Sequence, residues 1–173
     1  MINKQKWIER KFDFNFPVGM FPCILERLRG TPARLEELLS TFPKNILTVR
    51  INDGWSIQEH AGHLYDLDEL HEARIEDFLS GARTLRPADM KNQKTYDANY
   101  NTKPIDAVLR GIRDARMRFV AKLEGMNELQ LALISLHPRL QQPMRLVDMA
   151  FFVAEHDDHH IASIVRIART LHH

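Results

Sequence analysis

Two histidines near the end of the chain have the spacing of metal ligands on one face of a helix. His156 and His160 stand four residues apart. Residues at i and i+4 of a helix lie one turn apart on the same side, so both imidazoles can direct a ring nitrogen at one divalent ion. Both also fall on the apolar stripe of the last predicted helix, where core residues are expected. The stripe consists of Leu146, Met149, Val153, His156, His160, Ile164 and Ile167. We therefore predict that these two histidines are metal ligands.

A third ligand must come from another helix. His63 lies in a helical register that also contains Leu67 and Leu70, so its side chain is expected to point inward, and His60, one turn earlier, is the alternative. Three histidines leave coordination positions open for water or a substrate atom, which is typical of catalytic sites. Neutral imidazole suits zinc, nickel, copper and iron alike, and of these zinc or nickel is expected. The alternative is that the histidines are buried and bonded to protein groups.

Three further residues are candidate catalytic groups, as handlers of protons or anions: His60, Asp157 and Arg139. Asp157 could fix the tautomer of a ligand histidine or act as a base, although a solvated position on the outer flank of the helix is commoner for such a carboxylate. Arg139 lies in a proline-fixed connection and could reach an anionic group of a substrate. An exposed salt bridge is the alternative for Arg139.

The remaining histidines are not expected to be ligands. His159 is rotated about a quarter turn from the stripe and is predicted to lie behind the ligands or in solvent, with a ligand role as the alternative. His71 and His137 are predicted at the surface or in loops. His172 and His173 are interpreted as the remnant of an expression tag.

Composition excludes several classes of function. The chain has 173 residues, which fits one domain, and its 24 basic and 23 acidic side chains nearly cancel, so no nucleic-acid or membrane partner is expected. A single cysteine, Cys23, is predicted to be a small packing residue. The opening segment lacks the apolar region of a signal peptide, so a cytoplasmic location is expected. We find no Ser-His-Asp order, phosphate-binding glycine loop or dinucleotide fingerprint.

Hydrophobic periodicity predicts four helices, and hence an all-α, antiparallel four-helix bundle. The first begins at Phe21 and has a candidate kink at Gly30-Thr31-Pro32; the second follows the capping-box pair Ser56 and Glu59 and ends at Gly81. The third lies between Pro104 and Gly125, and the fourth spans about 146–171.

The segments outside the helices also carry predictions. Residues 1–20 are predicted to be an extended arm with alternating aromatic side chains, and residues 21–173 a single domain. Residues 82–103 are polar and predict a long loop, either a functional lid or a poorly ordered segment. Residues 137–143 are interrupted twice by proline and predict a connection.

Two separated motifs resemble the DinB/YfiT-like family. They are Gly54-Trp55-Ser56-Ile57-Gln58-Glu59-His60-Ala61-Gly62-His63-Leu64 and Ala154-Glu155-His156-Asp157-Asp158-His159-His160. The resemblance covers about residues 21–171 and implies a four-helix bundle with one ligand histidine in the second helix and a His-x-x-x-His pair in the fourth. These positions match His63, His156 and His160. Many relatives have a Gly-Gln step after the last ligand, where this chain has Ala162 and Ser163, so a substrate contact by that glutamine is not expected here.

The resemblance also implies a function. It points to metal-dependent enzymes that act on small molecules, including transferases of low-molecular-weight thiols such as bacillithiol, an isomerase that uses mycothiol, and proteins labelled hydrolases. The alternative is a stress-associated metal-binding protein without turnover. A homodimer is expected from the resemblance and from the apolar surface of the arm, which carries Phe12, Phe14 and Phe16.

Overall fold

Four long helices form the body of the protein. The computed structural model describes residues 3–171, so the prediction for His172 and His173 lies outside the described residues. The helices are α1 (Phe21–Ser40), α2 (Ile57–Leu79), α3 (Gln93–Asp97), α4 (Ile105–Glu124), α5 (Glu128–Leu131) and α6 (Leu146–Leu171). Single 3-10 turns lie at Trp7–Glu9, Val18–Met20, Lys44–Ile46 and Tyr100–Thr102. None of the described helices is long and apolar enough to cross a membrane.

Local sequence signals set the ends of the long helices. The Ser56 side chain accepts a hydrogen bond from the Glu59 N–H (3.1 Å), and the Glu59 carboxylate accepts one from the Ser56 N–H (2.9 Å), which is the predicted capping box of α2. Helix α1 continues through Pro32 without a break in the assigned helix. The predicted bounds of α6 are confirmed because its apolar stripe is continuous and buried.

The four-helix bundle is confirmed, but its helices do not all alternate in direction. Helices α1 and α2 each pack against α4 and α6. Asp68 of α2 pairs with Arg116 of α4, and Glu76, further along α2, pairs with Lys122, further along α4. Residue numbers increase in the same direction in both helices, so these neighbours run parallel. Helices α1 and α6 also run parallel, because Arg27 pairs with Glu155 and residue 34 with residue 158. Helices that run in the same direction need a connection that returns along the length of the bundle, which explains the long segment 80–104 between α2 and α4.

A polar layer crosses the bundle between two apolar clusters. One cluster is built around Leu28, Phe119 and Val153, and the other around Leu35 and Ile164. Between them lie nine of the buried polar side chains of the four long helices. They are Thr31, His63, Asp66, Asp68, His71, Arg116, His156, Asp157 and His160. Buried polar groups need partners, so this layer is where function is expected to lie.

Two connections are more ordered than the sequence indicated. The predicted connection 137–143 belongs to an antiparallel hairpin of strands β1 (Ile134–His137) and β2 (Gln142–Arg145). Its prolines are accommodated because Pro143 lies in a short two-stranded sheet in which its missing N–H can face outward. The predicted loop 82–103 contains α3 and one 3-10 turn.

The aromatic side chains of the arm lie where they were predicted, whereas the single cysteine does not. Phe12, Phe14 and Phe16 pack against the first apolar cluster, as expected for aromatic side chains laid onto the body. Cys23, which was predicted to be a packing residue, is exposed. The prediction for Cys23 was wrong because residue 23 falls on the solvent side of α1, between the buried residues Phe21 and Ile24.

Candidate metal centre

Three buried histidines from two helices converge in the polar layer. One ring nitrogen each of His63, His156 and His160 lies within 4.8 Å of the others. The Nε2 atoms of His156 and His160 are 3.1 Å apart. Two nitrogen ligands at about 2.1 Å from one ion are separated by roughly 3.0–3.4 Å, so this spacing fits a shared divalent ion. The predicted convergence of the three residues is therefore confirmed.

Burial keeps these imidazoles neutral, which is the state that binds metals. It lowers the pKa of His63 to about 3, with a further contribution from His60. Burial also holds the pKa of His156 and of His160 well below the ordinary value of 6.5. A neutral imidazole keeps a lone pair on one nitrogen, so the site can accept a metal ion over the whole physiological pH range.

A hydrogen-bond chain fixes the tautomer of His63. The Thr95 hydroxyl donates to Oδ2 of Asp66 (2.8 Å), and the Tyr100 hydroxyl donates to Oδ1 of Asp66 (2.6 Å). Because the single hydroxyl proton of Thr95 is used in this way, its oxygen must accept the bond from Nδ1 of His63 (3.0 Å). The proton of His63 is then on Nδ1, and Nε2 is free to bind a metal.

Sequence reasoning missed Asp66, Thr95 and Tyr100. Asp66 follows His63 by one turn on the inward face of α2, and this spacing is a signal that could have identified it. Thr95 and Tyr100 come from the crossover segment, where no periodicity indicates an inward side. Tyr100 sits directly on Gly62, where an added Cβ atom would lie 2.3 Å from its ring. Only glycine at residue 62 therefore lets the crossover approach the site.

His60 and His159 lie next to the cluster. Nδ1 of His60 is 2.8 Å from Nδ1 of His160. A His160 that offers Nε2 to a metal carries its proton on Nδ1, so it would donate to His60 and be oriented by it. His159 contacts the arm: its Nε2 is 2.9 Å from Nζ of Lys4, and its ring centroid is 5.5 Å from that of Trp7.

Asp157 points away from the histidines, into the centre of the bundle. Its carboxylate accepts hydrogen bonds from Arg116 and from the Thr31 hydroxyl (2.7 Å), and Arg116 also binds Asp68 (2.9 Å). Burial alone would lower the pKa of Arg116, but the two carboxylates outweigh it and raise that pKa. The expectation of a solvated Asp157 is wrong, because residue 157 faces the other long helices.

A cavity of about 460 Å³ opens onto the three histidines. Its walls include Trp7 and Ile8 of the arm, residues 87–90 and Asn92 of the crossover, and Arg139 of the hairpin. His71 and His137 also line it and are buried, so their prediction as surface or loop residues is wrong. That prediction failed because polar residues of the buried layer interrupt the apolar pattern by which inward faces are recognised.

Comparison with known proteins agrees with this geometry. The DinB superfamily matches residues 27–164. The chain belongs to the DinB superfamily. YfiT from Bacillus subtilis, described as a probable metal-dependent hydrolase with an unusual four-helix bundle topology, has a similar structure, with a TM-score of 0.77 and 21% identity over 94% of each chain. At that identity the likeness to YfiT shows the shared fold. Comparison of this DinB chain with curated proteins gives no significant match.

Proposed function

We propose that this DinB protein is a divalent-metal-dependent enzyme that activates a nucleophile, either a low-molecular-weight thiol or water, for attack on an electrophilic small molecule. The observation that carries the proposal is the opening of the three-histidine cluster into a large cavity. A purely structural metal site is closed by protein ligands, whereas three imidazoles facing a cavity leave coordination positions for a substrate. The description of YfiT as a hydrolase supports water as one of the two nucleophiles.

The residues present fit a divalent ion. Nε2 of His63, His156 and His160 would hold it, and zinc or nickel suits three neutral imidazoles. A bound divalent ion supplies Lewis-acid chemistry, because it stabilises the anion of a thiol or of water at neutral pH. The 3.1 Å separation between Nε2 of His156 and Nε2 of His160 fits two nitrogens that share one ion. A His156 that offers Nε2 to a metal keeps its proton on Nδ1, which is buried without an acceptor among residues 3–171.

The chain's own residues would prepare the site for this reaction. Thr95 and Asp66 orient His63, and His60 orients His160 through the contact between their Nδ1 atoms. We assign His60 to this orienting role because it does not appear among the residues that line the cavity. Asp157 would act through its ion pair with Arg116, which fixes the packing of α6. His156 directly precedes Asp157 in that helix, so its position would be fixed as well. Trp7 and residues 87–90 would shield the reacting groups from water.

Metal analysis combined with a substrate screen tests the proposal. Purified protein is expected to contain about one divalent ion per chain. It should be screened with thiols and electrophiles, and with esters and amides for hydrolysis, before and after metal removal. Metal-dependent turnover that needs a thiol identifies a transferase, and turnover with water alone identifies a hydrolase. Thermal stabilisation by metal without turnover of any substrate class would instead support a non-catalytic metal-binding protein.

A further inference from the structure

The cavity contains a basic region that the three histidines do not use. Arg74 of α2 lines it together with His137 and Arg139 of the hairpin. Nε of Arg74 donates to the carbonyl oxygen of residue 86 (3.0 Å), but within residues 3–171 neither Arg74 nor Arg139 forms an ion pair with a carboxylate. Asp89 also lines the cavity, and its carboxylate accepts backbone N–H bonds from residues 91 and 93 (2.9 and 2.6 Å). Two guanidinium groups thus face one cavity, and neither is in ion-pair contact with a carboxylate among the described residues.

Two hydrogen-bond donors in this region are buried and unused. Nδ1 of His137 accepts the N–H of Leu140 (3.1 Å), so a neutral His137 carries its proton on Nε2. Burial, together with Arg74 and Arg139, lowers the pKa of His137 to about 3 and keeps the ring neutral. Nε2 of His137 and one terminal nitrogen, Nη2, of Arg139 are both buried without a partner among the described residues. Buried donors of this kind are rare unless a ligand or an ordered water accepts their hydrogen bonds.

The two arginines also repel one another. Burial, with smaller contributions from the charges of Arg139 and Arg86, lowers the pKa of Arg74 to about 10 in spite of an opposing contribution from Asp77. Placing like charges around one cavity is unfavourable, and an anion bound between them removes the repulsion. The charge arrangement and the unused donors therefore both favour an anionic ligand that accepts hydrogen bonds.

We propose that Arg74, His137 and Arg139 form a subsite for the carboxylate of a small-molecule substrate whose reacting atom lies at the three histidines. Guanidinium groups bind carboxylates through two parallel hydrogen bonds. Cζ of Arg139 lies 5.6 Å from the ring centroid of Phe152 and 5.9 Å from that of Trp7. Such apolar surroundings favour a monoanion over a phosphate dianion, because removing a dianion from water is more costly.

The geometry also limits the length of this substrate. The Trp7 ring centroid is 4.9 Å from that of His156 and 5.9 Å from Cζ of Arg139, so those two groups are less than about 11 Å apart. An extended chain of roughly three amino-acid units spans that distance. This inference rests on the proposed function, since it assigns the far end of a substrate that reacts at the same site.

A pair of probes that differ only in charge tests the subsite by binding, without any requirement for turnover. Hexanoate and hexanamide have the same alkyl body, and both are titrated calorimetrically into the metal-loaded and the metal-stripped protein. Hexanoate is expected to bind about tenfold or more tightly than hexanamide in both forms, as one charge-assisted bidentate contact predicts. A preference that disappears when the metal is removed would assign the carboxylate to the metal ion and overturn the proposal, as would equal binding of the two probes.

Arginine variants test which side chains cause the preference for hexanoate over hexanamide. Arg139→Gln and Arg74→Lys are each expected to reduce it at least threefold, the second because lysine keeps the charge but loses the planar fork. Arg110→Gln, an exposed arginine of α4, is the matched control and should retain the full preference. Thermal melts establish that each variant is folded. Full preference in both folded variants would overturn the assignment, whereas absence of turnover in any substrate screen would overturn only the proposed function.

Discussion

The hydrogen-bond chain behind His63 makes a sharp prediction about metal affinity. Thr95→Val replaces a buried hydroxyl by a methyl group of similar size, so the shape of the site is kept and one donor–acceptor group is lost. Nδ1–H of His63 then has no acceptor, and its proton can move to Nε2, which blocks the metal-binding nitrogen. Loss of such an orienting partner typically weakens metal binding 10- to 100-fold, or about 1.4–2.7 kcal/mol. We expect a loss within that range for Thr95→Val.

Two companion variants separate orientation of His63 from general destabilisation. Thr95→Ser keeps the hydroxyl and should bind metal within about threefold of the unaltered protein. Tyr100→Phe removes the other hydroxyl donor of Asp66 without breaking the link to His63, so it should lower the unfolding free energy by about 1–2 kcal/mol while metal affinity changes less than in Thr95→Val.

Competition with a chromophoric chelator at fixed pH gives the dissociation constant of each variant. Urea unfolding of the metal-free proteins gives their stabilities independently. The reasoning is refuted if Thr95→Val and Thr95→Ser bind metal equally well, or if the affinity of Thr95→Val falls only in proportion to its stability.

Three other predictions concern the site, the pH dependence and the assembly. Alanine at any one of the three ligand histidines should remove most of the metal, while His159→Ala should retain it; equal loss in all four variants would contradict the assignment. Acidification from pH 7.5 to 5.5 should reduce the urea-measured unfolding free energy of the metal-free protein by at least about 3 kcal/mol. The pKa of His63 and of His137 is about 3 when folded and about 6.5 when unfolded, so each of them contributes about 1.4 kcal/mol over this interval as the unfolded chain alone takes up protons. A flat profile would contradict these pKa values. Light scattering at micromolar concentration should give the mass of a homodimer, and a monomeric mass would exclude that assembly.

The sequence predicted the parts of this protein that repeat along a helix. The stripe of α6 has apolar residues on both sides of His156 and His160, so their inward position follows from periodicity alone. The inward position of His63 followed from Leu67 and Leu70 in the same way. Periodicity gives the face of each helix, and four such faces are sufficient to predict a bundle.

Periodicity does not give contacts between helices or the shape of irregular segments. Thr95 reaches His63 only because the crossover folds over Gly62, and nothing in residues 82–103 repeats in a way that indicates this. The parallel direction of α2 and α4 depends on the path of that crossover. The hairpin strands are too short for an alternating pattern to be distinguished from a loop.

The buried Arg116 couples the orientation of the candidate metal-ligand imidazoles to the rotation of the helices that carry them. Asp157 immediately follows His156, and successive residues of a helix differ by about 100° in direction, so turning α6 about its axis moves both side chains together. A turn that swings His156 away from the cavity would also pull Asp157 from the guanidinium, and breaking a buried pair costs about 3–5 kcal/mol. Asp68 imposes the same condition on α2. The ion network thus holds α2 and α6 at one rotation about their axes. The loops around the cavity take no part in it, so their sequence can vary without turning the histidines.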